Sequence, residues 1–223
     1  VFALTRRVLV RRTEAVDADE GRGTLMVLFD VDHTITRHST GRRFGQQGAA
    51  MGLFSPLYRM RAPFFYLRYK LGLVDAQELS GYLSPLRGMS RSDVERIGRA
   101  CFVERIKNEI YADARARIRN LKALGEDIAL VSASVDVVIR PLADYLGLSH
   151  VVCTSIEFED GVATGRSRNP VCFGEEKRRQ ALAFLESQGV EPEHCSFYSD
   201  SYHDLPLLAS VGSPVVVNPD VRL

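Results

Sequence analysis

The chain has 223 residues, enough for one large domain or for one domain carrying a small insert. Hydrophobic residues make up 45% and charged residues 26%, the balance of an ordinary soluble globular protein. The net charge of +1 gives no electrostatic reason to expect a nucleic-acid partner, and no uncharged apolar run approaches the roughly 18 residues of a membrane span.

Residues 1–23 read as a basic arm and linker. VFALTRRVLVRR has no acid before Glu14 and lacks the apolar core of a secretory signal; a transit peptide is the alternative to a frayed arm. TLMVLFD (24–30) is then a short apolar run with β-favouring residues. Apolarity on successive residues suits a strand covered on both faces, as in a parallel sheet. The pattern returns at DIALVSA (127–133), HVVCTSI (150–156), CSFYSD (195–200) and PVVVN (214–218). Helical patterns fall between, at 111–125, 134–147 and 174–189, with Gly125, Gly147 and Gly189 where C-caps are expected. Strands alternating with helices predict an α/β fold with a doubly wound, Rossmann-like parallel sheet. Asp160-Gly161 between short strand-like segments predicts a hairpin over 156–166.

Residues 42–108 contain helix-like patterns and no convincing buried strand, which predicts an α-helical insert, termed the cap below. The core would then be 24–41 plus 109–223. Cys101, Cys153, Cys172 and Cys195 are far apart and form no C-x-x-C pair, so they read as reduced, mostly buried thiols of a cytoplasmic protein.

In open α/β sheets, ligands bind at the carboxyl ends of the strands. The first strand ends in Asp30-Val31-Asp32-His33-Thr34, the second in Ser132-Ala133-Ser134, and the strand at 195–199 in Asp200-Ser201-Tyr202-His203-Asp204. Lys177 opens a helix. Acids, a hydroxyl and a lysine therefore converge on one edge of the sheet. Crowded carboxylates repel and call for a cation, and an oxygen donor set suits a hard ion such as Mg²⁺. Asp30 could attack a phosphoryl group as a carboxylate nucleophile. Asp32 is spaced to protonate the leaving oxygen and later to deprotonate water. Ser132 and Lys177 would bind phosphoryl oxygens. Each piece has a plainer reading taken alone: Asp200 and Asp204 as a strand end and a helix N-cap, Lys177 as a solvated helix lysine. Only the joint pattern, in chain order, carries weight.

At these residues the sequence resembles the haloacid dehalogenase superfamily. FDVDHT looks like its first motif, LVSAS its second, Lys177 its third and YSDSYHDLP its fourth. The phrases LVSASVD, TGR, GEEKRRQ and VVNPD resemble its phosphoserine-phosphatase-like branch, and the likeness runs from about residue 24 to 221. The resemblance implies a Mg²⁺-dependent phosphomonoester hydrolase working through an aspartyl phosphate. It implies Asp30 as nucleophile and Asp32 as acid/base, with Thr34, Ser132, Ala133 and Lys177 as phosphate contacts. Asp30, the backbone carbonyl of Asp32 and Asp200 would hold the metal, supported by Asp204. His33 stands where the superfamily often has glycine, and so does Ser199.

One departure bears on substrate. Phosphoserine phosphatases usually carry a glutamate soon after the first motif to hold the substrate amine. Here Arg37-His38-Ser39-Thr40-Gly41-Arg42-Arg43 contains no acid, and the next one along the chain is Asp75. Glu78, Glu175 or Glu176 could supply the partner in three dimensions. The stretch 51–74 sets Phe54, Tyr58, Phe64, Phe65, Tyr66 and Tyr69 beside Arg59, Arg61, Arg68 and Lys70, again without an acid. Its aromatics either pack the cap's own core or form an interfacial surface for peripheral contact with an anionic membrane or a lipid-phosphate substrate. A small-molecule phosphomonoesterase is thus expected. A lipid head-group phosphatase (phosphatidylglycerophosphate-like) is the alternative, and a non-catalytic phosphate-binding protein the rival of another class.

Overall fold

The computed structural model describes residues 26–54, 60, 64, 81–220 and 222–223. The basic arm and linker expected at 1–23, most of the aromatic and basic stretch at 51–74, and Asp75 and Glu78 lie outside those residues.

The described strands are β1 (Met26–Phe29), β2 (Asp127–Val135), β3 (His150–Thr154), β4 (Ile156–Glu159), β5 (Val162–Ser167), β6 (Cys195–Ser199) and β7 (Ser213–Val216). Five form one sheet in the order β3-β2-β1-β6-β7, with every neighbouring pair parallel. The apolar runs have the meaning expected of them. Met26 and Leu28 of β1 pack on one face with Ala181, Leu185 and Leu207. Val27 and Phe29 pack on the other with Ile118, Leu121, Ile139 and Leu142. A strand covered on both sides has no polar face to show, so its sequence does not alternate.

The described α-helices are α1 (Thr40–Ala50), α2 (Arg91–Glu104), α3 (Ala112–Ala123), α4 (Asp136–Leu146), α5 (Gly174–Ser187) and a single turn, α6 (Leu205–Leu208). Gly125, Gly147 and Gly189 take φ of 81°, 66° and 68° at or just past the ends of α3, α4 and α5. α4 begins two residues later than its pattern predicts. Ser134 and Val135 stay in β2, whose pairing with β3 is irregular between Ser132 and Val135. The core–cap division expected between residues 41 and 42 falls inside α1. The hairpin forms around Asp160 (φ 48°) and Gly161 (φ 78°), two successive left-handed residues of the kind a type I′ turn demands. It also gains a partner the pattern does not reveal. Gly88 N–H donates to Ala163 O (2.9 Å) and Ala163 N–H to Met89 O (2.8 Å), so the segment before α2 is stitched onto β5.

Pro141 inside α4 has no N–H to give the carbonyl of Val137, four residues back. That carbonyl is met by Gly98 of α2, where a Cβ would lie only 2.2 Å from Val137 O. The helices therefore touch backbone to backbone. Gly98→Ala is expected to force them apart and to destabilise the protein by about 1–3 kcal/mol, as overpacking does. Chemical denaturation of the purified variant checks this; an unchanged midpoint would show that α2 can shift freely.

β1 and β6 are neighbours whose connections leave in opposite directions, toward β2 and toward β7. Such a reversal opens a crevice at the carboxyl ends of the two strands. Asp30 follows β1 and Asp200 follows β6, and Phe29 is in register with Tyr198. The topology alone therefore sets these two acids side by side.

Candidate active site

Asp30 extends the ladder by one bond, its N–H donating to Tyr198 O at 2.9 Å. The chain then turns tightly, and the N–H groups of Ile35 and Thr36 both reach Val31 O at 2.9 Å. His33 sits in this turn at φ 61°, a left-handed conformation that suits glycine and that histidine tolerates better than most side chains.

The turn brings the Asp32 carboxylate to the first turn of α1. Its Oδ1 accepts from Thr40 N–H (2.9 Å) and from Thr40 Oγ1 (2.6 Å). A carboxylate at a helix N-terminus is favoured by the helix dipole. Ser39 caps the same helix by accepting from Arg42 N–H at 3.3 Å. Thr40 is a site residue that the motifs do not single out; a hydroxyl at a helix start, close after the first motif, is the one signal the sequence offers for it.

Lys177 projects from the first turn of α5 into the crevice. Its Nζ lies 2.7 Å from Asp30 Oδ1 and 2.8 Å from the Asp204 carboxylate. Ser199 Oγ donates to Asp204 at 2.7 Å. Thr34 Oγ1 donates to Asp200 Oδ1 over a long 3.4 Å. Ser132 is buried, and its Oγ accepts from Ser134 N–H at 3.2 Å. Ala133 O accepts from Thr154 Oγ1 at 2.9 Å, which ties the end of β2 to β3. Asp30, Thr34, Ser132, Lys177, Asp200 and Asp204 are all buried. Asp204 does occupy the position before α6, yet its side chain makes no cap bond there and serves Lys177 instead.

The electrostatics are unbalanced. Asp30, Asp200 and Asp204 are 5%, 8% and 2% exposed, and the one lysine among them, Lys177, is 3% exposed. Burial pushes the Asp30 carboxyl well up; Asp204 and Asp200 push the same way, while Lys177 opposes them. Asp200 is pushed up to about 7, by burial first and then by Asp204. Burial alone would lower Lys177, but Asp204 and Asp30 outweigh it and hold the ammonium well above its usual range. Such a pocket has the chemistry of a cation site. No group of three or more His, Cys, Asp or Glu side chains poised to hold a metal occurs among the described residues. A cation here would take two carboxylates, Asp30 and Asp200, and complete its shell with backbone carbonyl, water or substrate oxygen, as Mg²⁺ commonly does.

This imbalance can be measured. A carboxylate whose folded pKa is raised stabilises the fold at low pH and withdraws that stability as pH rises through the folded value. Metal-free protein should therefore lose stability between about pH 4 and 7, the window of Asp200. Added Mg²⁺ should remove the slope, and its apparent affinity should rise with pH across the same window, because binding displaces protons. Thermal melts with and without Mg²⁺ over this range check both; equal slopes would exclude a cation at Asp200.

Among the described residues, Glu104 and Glu109 reach α1 from elsewhere in the chain, and both are already engaged. Glu109 holds Arg43 through two contacts, one of them 3.0 Å, and Glu104 accepts from Gln47 Nε2 at 2.9 Å. Glu175 and Glu176, each a candidate partner for an amine, pair with Arg178 and Arg179 on α5 itself. Neither Glu104 nor Glu109 belongs to a motif that the sequence singles out. All four cysteines are buried and unpaired. Phe54 is buried in the core, whereas Met60 and Phe64 are exposed. No described helix is long and apolar enough to cross a membrane.

A family profile described as haloacid dehalogenase-like hydrolase matches residues 27–209, and the chain belongs to that family. It is 29% identical over 207 residues to the phosphoserine phosphatase SerB1 of Mycobacterium tuberculosis (strain ATCC 25618 / H37Rv), a match covering 90% of this chain and 67% of the relative. It is 27% identical over 204 residues to a histidinol-phosphatase of Neisseria meningitidis serogroup C (strain 8013), covering 89% and 92%. Among solved structures, a protein of unknown function from Bordetella pertussis Tohama I matches with a TM-score of 0.81 and 28% identity, over 90% of this chain and 93% of that one. With these relatives the protein is a phosphatase of the phosphoserine-phosphatase-like branch. Phosphatases of the family generally use Mg²⁺.

Proposed function

We propose that the protein hydrolyses a small-molecule phosphomonoester through a phosphorylated Asp30. The observation that carries this reading is the buried Asp30–Lys177–Asp204 array at the switch point of the sheet. With Oδ1 of Asp30 tied to Lys177, Oδ2 attacks phosphorus and the ester oxygen leaves. Asp32, held by Thr40, gives that oxygen its proton. The same carboxylate then takes a proton from water, which attacks the phosphorus of the aspartyl phosphate and frees inorganic phosphate. Lys177, the Ser132 hydroxyl, Thr34 and the backbone at Ala133 contact the phosphoryl oxygens and balance charge in the transition state. Asp30, Asp200 and the backbone carbonyl of Asp32 would hold Mg²⁺, with Asp204 in support. When bound, the ion supplies positive charge to the phosphoryl oxygens and relieves the repulsion between the two carboxylates.

On substrate, the relatives' names make phosphoserine and histidinol phosphate the first candidates. Among the described residues, the engagement of Glu104 and Glu109 by Gln47 and Arg43 argues against a ready carboxylate for an ammonium group at α1. A buried ammonium without a partner is poorly offset by phosphate contacts alone. Phosphoserine is therefore expected to be a poorer substrate than a phosphomonoester with no amine. Comparison of kcat/KM for phosphoserine, histidinol phosphate, glycerol phosphate and phosphatidylglycerophosphate decides it. A roughly hundredfold preference for phosphoserine, about 2.7 kcal/mol of transition-state binding, would overturn the expectation. Preference for the lipid would revive an interfacial role for the 51–74 stretch.

A further inference from the structure

Past β7 the chain runs across the end of the sheet and touches both loops that carry the acids of the site. Val217 N–H donates to Ser199 O at 2.9 Å. Asn218, itself left-handed at φ 47°, sends its side-chain Nδ2 to His33 O at 3.1 Å. His33 lies between Asp32 and Thr34. Asp220 brackets the other loop: its backbone N–H donates to the carbonyl of Asp200 (2.8 Å), and its Oδ2 accepts from Tyr202 N–H (3.0 Å). Its Oδ1 accepts from the N–H groups of Arg222 (2.8 Å) and Leu223 (3.1 Å), so one carboxylate ties the tail to itself and to the loop.

We infer that Asn218 and Asp220 are positioning residues for catalysis, which hold the 30–34 turn and the Asp200 loop at the separation a shared cation requires. Asp30 and Asp200 stand at the ends of different strands, and each of those strands runs out into a loop beyond the sheet. Like charges in a buried crevice drive such loops apart. The tail is a covalently continuous strap that bonds the backbone of both. Its contacts go to the backbone beside the acids, at His33, Asp200 and Tyr202, so they fix where the carboxylates start from without competing for their oxygens. A plain structural staple would add stability and leave cation binding alone.

The inference rests on the reading of Asp200 as a cation ligand, and the experiment separates the two. Mn²⁺ binding to the full chain is measured by calorimetry and by electron paramagnetic resonance, together with melting temperature and the Mg²⁺ dependence of kcat. Asp200→Asn should abolish Mn²⁺ binding; if it does not, the reading of the site fails and the inference with it. Asp220→Ala should weaken Mn²⁺ binding about 10–100-fold, the range for residues that orient ligands. The Mg²⁺ needed for half-maximal activity should rise in parallel, with kcat at saturating Mg²⁺ largely retained. Asp220→Asn keeps one acceptor and should recover part of the loss. Asn218→Gly keeps the left-handed backbone, removes the amide, and should also weaken Mn²⁺ binding if Asp220→Ala does not fold. Lower melting temperature with unchanged Mn²⁺ affinity in these variants would reduce the tail to a staple and overturn the inference.

Discussion

Asp30→Asn is expected to lower kcat by at least about ten-thousandfold, the scale seen when a nucleophile is removed from a catalytic unit. It should do so without destabilising the protein. The amide oxygen can still accept from Lys177, which keeps its second partner, Asp204, at 2.8 Å. What disappears is a desolvated negative charge that burial and two neighbouring acids already disfavour. Metal-free Asp30→Asn should therefore melt at or above the wild-type temperature near neutral pH. Hydrolysis of an aryl phosphate and a thermal melt on the same preparation check both halves. Retained activity would remove Asp30 as nucleophile. A large drop in melting temperature would mean that the Lys177 contact outweighs the charge's own burial. Asp32→Asn separates the two acids. It should slow alkyl phosphates by about 10²–10⁴ and aryl phosphates much less, since a good leaving group needs little protonation.

Sequence carries the skeleton of this site because of where its residues fall. Five apolar runs, each too short for a helix pair and too continuous for a half-exposed strand, mark the sheet; Asp30 and Asp200 stand just beyond two of them, and Ser132 lies in the last third of β2. Strand ends are readable because burial on both faces leaves an unbroken apolar signal, and the first polar residue then stands out. Contacts between distant loops leave no such trace. Arg43 and Glu109 are far apart in the chain, and nothing in either neighbourhood announces their pairing. The stitch of residues 88–90 onto β5 is made by backbone groups, which every residue has. Thr40 reaches Asp32 only because the turn after β1 closes on Val31, with His33 in a conformation that composition does not reveal. Ser134 and Val135 fit a helical pattern because α4 begins nearby, but pairing with β3 keeps them extended.

Lys177→Met is expected to show the opposite balance, costing both activity and stability. Methionine keeps an unbranched stem of similar length in the space beside Phe197, so the packing change is small and the charge change is isolated. Without the ammonium, Asp30 and Asp204 face each other in a site where both are almost wholly buried. Breaking a buried pair by removing one partner typically costs about 3–5 kcal/mol, because the other charge is left uncompensated. Asp30 and Asp200 have a way out, which is to bind protons. Their pKa values should climb further in the variant, so the destabilisation should be large at pH 8 and should shrink toward pH 5. The sign comes from linkage: a folded state that holds more protons than the unfolded one gains stability as pH falls. Mg²⁺ should restore part of the loss at pH 8 by taking over the positive charge at Asp30. Activity should remain about 10²–10³-fold below wild type even at saturating Mg²⁺, since a charge-assisted contact to the phosphoryl oxygens is gone. Arginine should not rescue it, because a planar fork does not fit where a buried lysine ammonium sits 2.7 Å from Asp30 and 2.8 Å from Asp204. Denaturation midpoints at pH 5 and pH 8, each with and without Mg²⁺, resolve the outcomes. A loss of stability equal at both pH values would assign the role of Lys177 to packing and leave the carboxylates without their proposed counter-charge.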